Sequence, residues 1–270
     1  MAASTEKVAV VITTINAPTE AMTTWAERFP TYVVGDKKTP AGAYSDGPYH
    51  FVGVSTDHSL TTLPYNHYSR KLLGYLRAIA DGAEFILDTD DDTFLNTALQ
   101  PLDALSRTQV CLTSDDGPFV NVFRFFSRDE LLWPRGFPLN RVANGIVVQE
   151  GPCEVGPEPE VVQFLIDGDT DVDAVQRLVF GARNVEFDRR GVVGVIPAGS
   201  LCPFNSQLTL FKKEAFPLLY LPATVDFRFT DILRGFVAKA LMDQRGMTLA
   251  FSDSIGFQVR NEHDFMQDFW

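Results

Sequence analysis

Four carboxylates fall within five residues in Asp88-Thr89-Asp90-Asp91-Asp92, directly after the apolar run Glu84-Phe85-Ile86-Leu87. Like charges held this close repel and raise one another's pKa values. A divalent cation relieves that repulsion, because hard cations prefer carboxylate oxygens. The competing reading is a solvated acidic turn, but the preceding strand limits how far these groups can spread. An EF-hand loop starting at Asp88 requires glycine at its sixth position and glutamate at its twelfth. Thr93 and Leu99 stand there instead. The Asp-x-Asp-x-Thr pattern of haloacid dehalogenase phosphatases also fails, since Asp92 or Phe94 occupies the threonine position.

A sheet with helices must position this cluster. Val8-Ala9-Val10-Val11-Ile12 is a continuous β-branched run, as expected of a buried parallel strand. Further strands are expected at Tyr32–Val34, His50–Val54, Glu84–Leu87 and Val161–Ile166. Leu72, Leu73, Leu76, Ile79 and Ala80 repeat at helical spacing, which predicts a helix over Ser69–Ala80, with Gly82 just past its end. Helices are also expected over Asp173–Phe180 and Asp231–Met242. Arg70 and Lys71 would oppose the dipole in the first turn of their helix. A bound phosphate would compensate them; the alternative is two solvated side chains. Strand–helix alternation predicts a doubly wound α/β sheet, mostly parallel and flanked by helices. Such sheets bind ligands beyond the carboxyl ends of their strands, where Thr13, Asp36 and Asp90 fall. The Pro/Gly-rich stretch Gly151–Pro159 is expected to be an exposed excursion within one domain of residues 1–270. Its first ~100 residues would form a nucleotide-binding half and the remainder an acceptor-binding half.

A formal net charge of −12 with only isolated basic doublets excludes a nucleic-acid partner. No apolar run approaches the ~18 residues of a membrane span, and no signal peptide opens the chain, so a cytoplasmic protein, or a soluble fragment of something larger, is expected. Three widely spaced cysteines, Cys111, Cys153 and Cys202, are read as reduced and mostly buried thiols rather than a disulfide framework or a zinc site.

The run Leu87–Phe94 also fits the Asp-x-Asp motif of GT-A glycosyltransferases, which follows a mid-chain strand. With that motif in view, the chain resembles the STELLO family of glycosyltransferase-like proteins across most of its length. The blocks that carry the likeness are Val11–Asn16 with Pro18-Thr19, Val34–Pro40, Arg70-Lys71 with Gly74-Tyr75, and Thr89–Asp92. They continue with Trp133–Gly136, Asp171–Val175 with Arg177-Leu178, Pro203–Gln207, and Thr230–Ile232 with Arg234-Gly235. More distantly, the opening and the Asp triplet are similar to the plant reversibly glycosylated polypeptides, which are nucleotide-sugar mutases.

The resemblance implies a GT-A-like (Rossmann-like) fold, a nucleoside diphosphate sugar donor, expected to be UDP-linked, and a carbohydrate acceptor. The expected cofactor is Mn²⁺ or Mg²⁺. Asp92 would bind the cation, with Asp90 on the same side of an extended segment and Asp91 opposite. His263 is a candidate third metal ligand, weighed against a plain surface histidine. Thr13, Thr14 and Asp36 would line the nucleotide, and Arg70, Lys71, Asp91 and Arg234 would complete its site. An inverting transfer needs a carboxylate to accept the acceptor's proton. Asp231 is the first choice, against a helix-capping role, and Asp173 the second. Asn205, Ser206 and Gln207 would meet sugar hydroxyls, and Trp133 would stack on a sugar ring or lie in the core. A nucleotide-sugar mutase and a non-catalytic scaffold are the rival functions.

Overall fold

The computed structural model describes residues 7–54, 62–96, 100–142, 148–151, 158–259 and 266. In chain order the elements begin β1 (Val8–Thr13), α1 (Glu20–Ala26), β2 (Thr31–Val34) and β3 (Tyr49–Val52). A 3-10 turn (Tyr68–Lys71) leads into α2 (Leu72–Ala80), then β4 (Phe85–Thr89) and β5 (Thr93–Leu95). After a second 3-10 turn (Pro101–Ser106) come β6 (Gln109–Ser114), α3 (Val122–Phe126), α4 (Leu139–Val142) and β7 (Val148–Gly151). The chain continues with β8 (Val161–Gly168), α5 (Ala174–Phe180), β9 (Val193–Ile196) and β10 (Leu208–Lys212). A third 3-10 turn (Lys213–Leu219), α6 (Thr230–Arg245) and β11 (Leu249–Gln258) complete it.

All the strands join one mixed sheet in the order β3-β2-β1-β4-β10-β8-β11-β9-β6-β7, with β5 pairing β11. The β3-β2-β1-β4 half is parallel throughout. β10 is antiparallel to both β4 and β8, so β8 runs the same way as β4, and β11 is parallel to β8. The expected mixed α/β sheet with helices against it is therefore present, and its form is consistent with a GT-A-like fold. One edge of the sheet gathers the carboxyl ends of β1, β2, β4, β8 and β11 together with the start of β10.

Alternation along β1 explains the two cores. Val8, Val10 and Ile12 face a cluster that includes Met22 and Trp25 of α1, whereas Ala9 and Val11 face one that includes Tyr75 and Ala78 of α2 and Ala238 and Met242 of α6. Both faces of the strand are buried, which is why its sequence reads as a continuous apolar run. Close helix packing depends on two glycines. A Cβ on Gly74 would lie 2.6 Å from Val11 Cγ1, and one on Gly235 would lie 2.1 Å from the Phe204 carbonyl oxygen. These contacts fix the height of α2 and α6 above the strand ends.

The helix expected over Ser69–Ala80 divides. Tyr68–Lys71 is 3-10 and the α-helix starts at Leu72. The reason is electrostatic: Arg70 and Lys71 are buried among carboxylates rather than displayed on an α-helical first turn. The thiol expectation also needs correction. Cys111 is disulfide-bonded, whereas Cys202 is free and buried. Antiparallel pairing of β6 with β7 sets Gly151 opposite Cys111, a proximity that sequence spacing does not reveal. Cys153 and most of the Gly151–Pro159 stretch lie outside the described residues. Among the described residues no helix is long and apolar enough to cross a membrane.

Candidate active site

The acidic run begins within β4 and continues past its end, and its carboxylates go to different tasks. Asp88 is fully buried and sits between two cations, 2.6 Å from Lys71 Nζ and 2.9 Å from Arg234 Nη1. Burial alone would push its carboxyl up, but Lys71 and then Arg234 hold it below the usual carboxylate value. Asp90 comes next. Its Oδ1 accepts a hydrogen bond from Tyr68 Oη at 2.6 Å and lies 3.5 Å from Lys71 Nζ. Burial dominates its titration, with the Asp92 and Asp88 charges adding to it. Lys71 and the Tyr68 hydroxyl oppose them, and the carboxyl ends at about 7.

Asp91 turns the other way. It accepts from Thr14 Oγ1 and, at 2.9 Å, from Asn16 Nδ2, while its carbonyl accepts from Thr19 Oγ1. Its carboxylate therefore ties the loop after β1 to the acidic run. Asp92 Oδ1 accepts from Gln258 Nε2 at 2.8 Å, at the end of β11.

The remaining residues form a chain of polar contacts beneath the strand ends. Gln258 Oε1 accepts from Gln207 Nε2, and the Gln207 amide donates to Asn205 Oδ1 at 2.9 Å. Asn205 Nδ2 donates to Asp171 Oδ2 at 2.6 Å. Arg135 then bridges Asp171 at 2.8 Å and Asp231 at 2.7 Å. Asp231 accepts from the Ser206 amide at 3.3 Å, and Ser206 Oγ accepts from Arg234 Nη2 at 2.9 Å. Arg234 returns to Asp88 and so to Lys71 and Asp90. The circuit thus joins the two carboxylates proposed for the metal by a second, longer route through the opposite half of the sheet. Burial works against the charge on Arg135, but Asp171 and then Asp231 hold the guanidinium protonated.

Several sequence expectations meet different surroundings. Arg234 is buried and committed to Asp88 and Ser206, so it supports the acidic run from below instead of reaching a diphosphate. Lys71 is likewise fully buried, and carboxylates compensate it where a phosphate or solvent was expected. Arg70 lies 3.4 Å from Asp36, whose carboxylate also accepts from the Lys37 and Asn66 amides at 2.6 Å each. Thr13 Oγ1 donates to the Val34 carbonyl at 3.3 Å. The capping role foreseen for Asp231 belongs to Asp173, which accepts from the Gln176 amide at 2.8 Å and caps α5. Asp173 also receives the Trp133 indole N–H, so Trp133 is core-facing and unavailable as a sugar platform. His263 lies outside the described residues.

Sequence reading missed Tyr68, Arg135 and Gln258 as members of the site. Arg135 lies in a quoted block, Trp133–Gly136, but nothing local distinguishes it from a surface arginine. Gln258 gives no signal at all, because its partners are more than 50 residues away.

Over 204 residues, 69% of the chain, the sequence is 32% identical to the Arabidopsis thaliana protein named "Probable glycosyltransferase STELLO1". The chain belongs to the STELLO family. The Arabidopsis thaliana protein named "Probable glycosyltransferase STELLO2" is also 32% identical, over 203 residues. In both cases the match spans 26% of the STELLO protein's own length, so this chain corresponds to about a quarter of it. No protein-family model matches the chain.

The donor set of the STELLO-family chain around the acidic run bears on whether it can hold a cation. Among the described residues no three His, Cys, Asp or Glu side chains converge to hold one. Asp90 and Asp92 nevertheless offer hard oxygen donors just past the end of β4, each with Oδ1 pinned by a neighbour and about a third of the Asp90 side chain open to solvent (31%). Mg²⁺ is commonly held by one or two carboxylates plus substrate phosphates and waters. The pair fits that mode, not a cage built by the protein alone.

Proposed function

We propose that the chain is a glycosyltransferase module that uses a nucleoside diphosphate sugar, UDP-linked in the first instance, with Mn²⁺ or Mg²⁺ at Asp90 and Asp92. The sugar passes to a carbohydrate hydroxyl by a single inverting displacement. The observation that carries this reading is the pair of fixed carboxylates at the carboxyl ends of parallel strands, in a chain whose relatives are named as glycosyltransferases. Held by Asp90 and Asp92, a cation would supply positive charge that stabilises the leaving nucleoside diphosphate.

The chain's own residues divide the remaining work. Tyr68 and Lys71 hold Asp90, and Gln258 holds Asp92. Asp91 keeps the loop after β1 in place through Thr14 and Asn16. Thr13, Thr14 and Asp36 line the region where the nucleoside would lie, with Arg70 neutralising Asp36. Asp231 receives the acceptor proton in this scheme, its carboxylate fixed by Arg135 and Ser206. Asp173 is consumed as a cap and is the weaker choice.

Calorimetric titration of UDP and GDP into the protein, with Mn²⁺ and with chelator, tests the reading. Binding of one nucleotide that requires Mn²⁺ and disappears in Asp92→Ala is the expected result. A folded protein that binds neither nucleotide under any condition refutes it.

A further inference from the structure

The loop between the third 3-10 turn and α6 is tied at two points near the site. His67 Nε2 donates to the Val225 carbonyl at 2.8 Å, and Arg135 Nη1 donates to the Arg228 carbonyl at 2.6 Å. His67 immediately precedes the turn that grips Asp90. Arg135 is the clamp on Asp171 and Asp231. The loop is therefore strung between the metal-side carboxylate and the far side of the polar circuit. Internal bonds stiffen it further: the Arg228 amide donates to Asp226 Oδ1 at 2.9 Å, and Thr230 Oγ1 donates to the Asp226 carbonyl at 3.0 Å.

On this fixed frame two phenyl rings face solvent. Phe227 is 45% and Phe229 47% exposed, and the Arg228 guanidinium carbon lies 4.8 Å from the Phe227 ring centre. Single exposed apolar residues need no explanation. This loop, with exposed rings at Phe227 and Phe229 on either side of Arg228 and anchors to the site at Val225 and Arg228, offers apolar and hydrogen-bonding groups together. It matches a sugar ring, which presents an apolar C–H face and a rim of hydroxyls. Aromatic faces lose little conformational freedom on contact, and the loop is already ordered. Trp133, the aromatic residue expected to do this, is buried.

We propose that Phe227 and Phe229 are the platform on which the carbohydrate acceptor lies, with Arg228 hydrogen-bonding its hydroxyls. This rests on the transferase reading above and assigns the acceptor's side of the same site.

The test uses the whole chain and a panel of soluble probes: cellohexaose, maltohexaose, xylohexaose and mannohexaose. Binding is followed by ligand-observed NMR, with UDP–Mn²⁺ calorimetry run in parallel. Wild type is expected to bind at least one hexasaccharide. The double variant Phe227→Leu/Phe229→Leu keeps apolar area but loses the rings, and should weaken binding about tenfold. Phe227→Tyr/Phe229→Tyr should restore it, and nucleotide binding should be unchanged in both. Wild type that binds no probe, or a Leu variant that binds as tightly as wild type, overturns the platform. So does a Leu variant whose only change is loss of self-association in light scattering. Ring-dependent oligosaccharide binding without nucleotide binding would keep the platform while removing the transferase reading. Nucleotide binding with no oligosaccharide binding would do the reverse.

Discussion

The four aspartates that look alike in sequence have opposite energetic roles. Asp88 compensates two buried cations, and removing its charge would leave Lys71 and Arg234 facing each other. Asp88→Asn should destabilise the fold by about 3–5 kcal/mol, measurable by denaturant unfolding. Asp90 is the reverse case. Its folded-state carboxyl lies near 7, above an unfolded value of about 4. The folded metal-free protein therefore binds more protons than the unfolded chain across that window, and this group's contribution to stability falls as pH rises through about 7. Mn²⁺ requires the ionised form, so the Mn²⁺-induced rise in Tm should grow between pH 6 and pH 8. Asp90→Asn should raise the metal-free Tm at pH 8 by about 2 °C and abolish the response to Mn²⁺. A variant that is less stable without metal and still responds to Mn²⁺ would show that Asp90 is not a ligand. The sequence pointed to positive charge near this run. It did not show that Lys71 and Arg234 supply part of the positive charge internally, because those contacts span 17 and 146 positions and depend on the sheet's crossovers.

Elements with one strong periodicity were legible. β1, β2, β4, β8, α5 and α6 fall close to their expected bounds because apolar residues cover a whole strand or one helix face. β11 was missed. Its sequence, Leu249–Gln258, buries Ser252, Asp253, Ser254 and Gln258 among apolar residues, so neither alternation nor a continuous apolar run marks it. Those polar groups are satisfied by partners elsewhere, such as the Arg190 and Gly191 amides on Asp253 at 2.9 and 2.8 Å. The contact between α6 and the segment before β10 was equally invisible, yet it positions Arg234, Asp231 and Ser206 together. Gly235→Ala tests it. The new methyl would meet the Phe204 carbonyl, and stability should drop by about 2 kcal/mol despite a gain in helix propensity of about 1 kcal/mol. An unchanged Tm would mean that α6 can shift freely, and that the Arg234–Asp88 contact is not fixed by packing.

At the scale of the molecule, net charge and sheet class were readable because they are sums and averages over many residues. The oxidation state of Cys111 was not, because it depends on one pairing between distant strands. A disulfide at this position should make stability sensitive to reductant. Reduced protein is expected to be less stable than oxidised protein by about 2–4 kcal/mol. Equal unfolding midpoints in the two states would show that the link contributes nothing to the fold.

The polar circuit also bears on how such a protein can be re-engineered. Asp92 hangs on Gln258, and Asp88 on Arg234, so each half of the chain terminates hydrogen bonds begun by the other. Splicing residues 1–100 onto a foreign second half would leave Asp88 and Asp92 without Arg234 and Gln258, even where every backbone strand docked correctly. The two halves of the sheet are thus not exchangeable cassettes in this scaffold. A working hybrid would have to carry Arg135, Asn205, Gln207, Arg234 and Gln258 across the junction as a set.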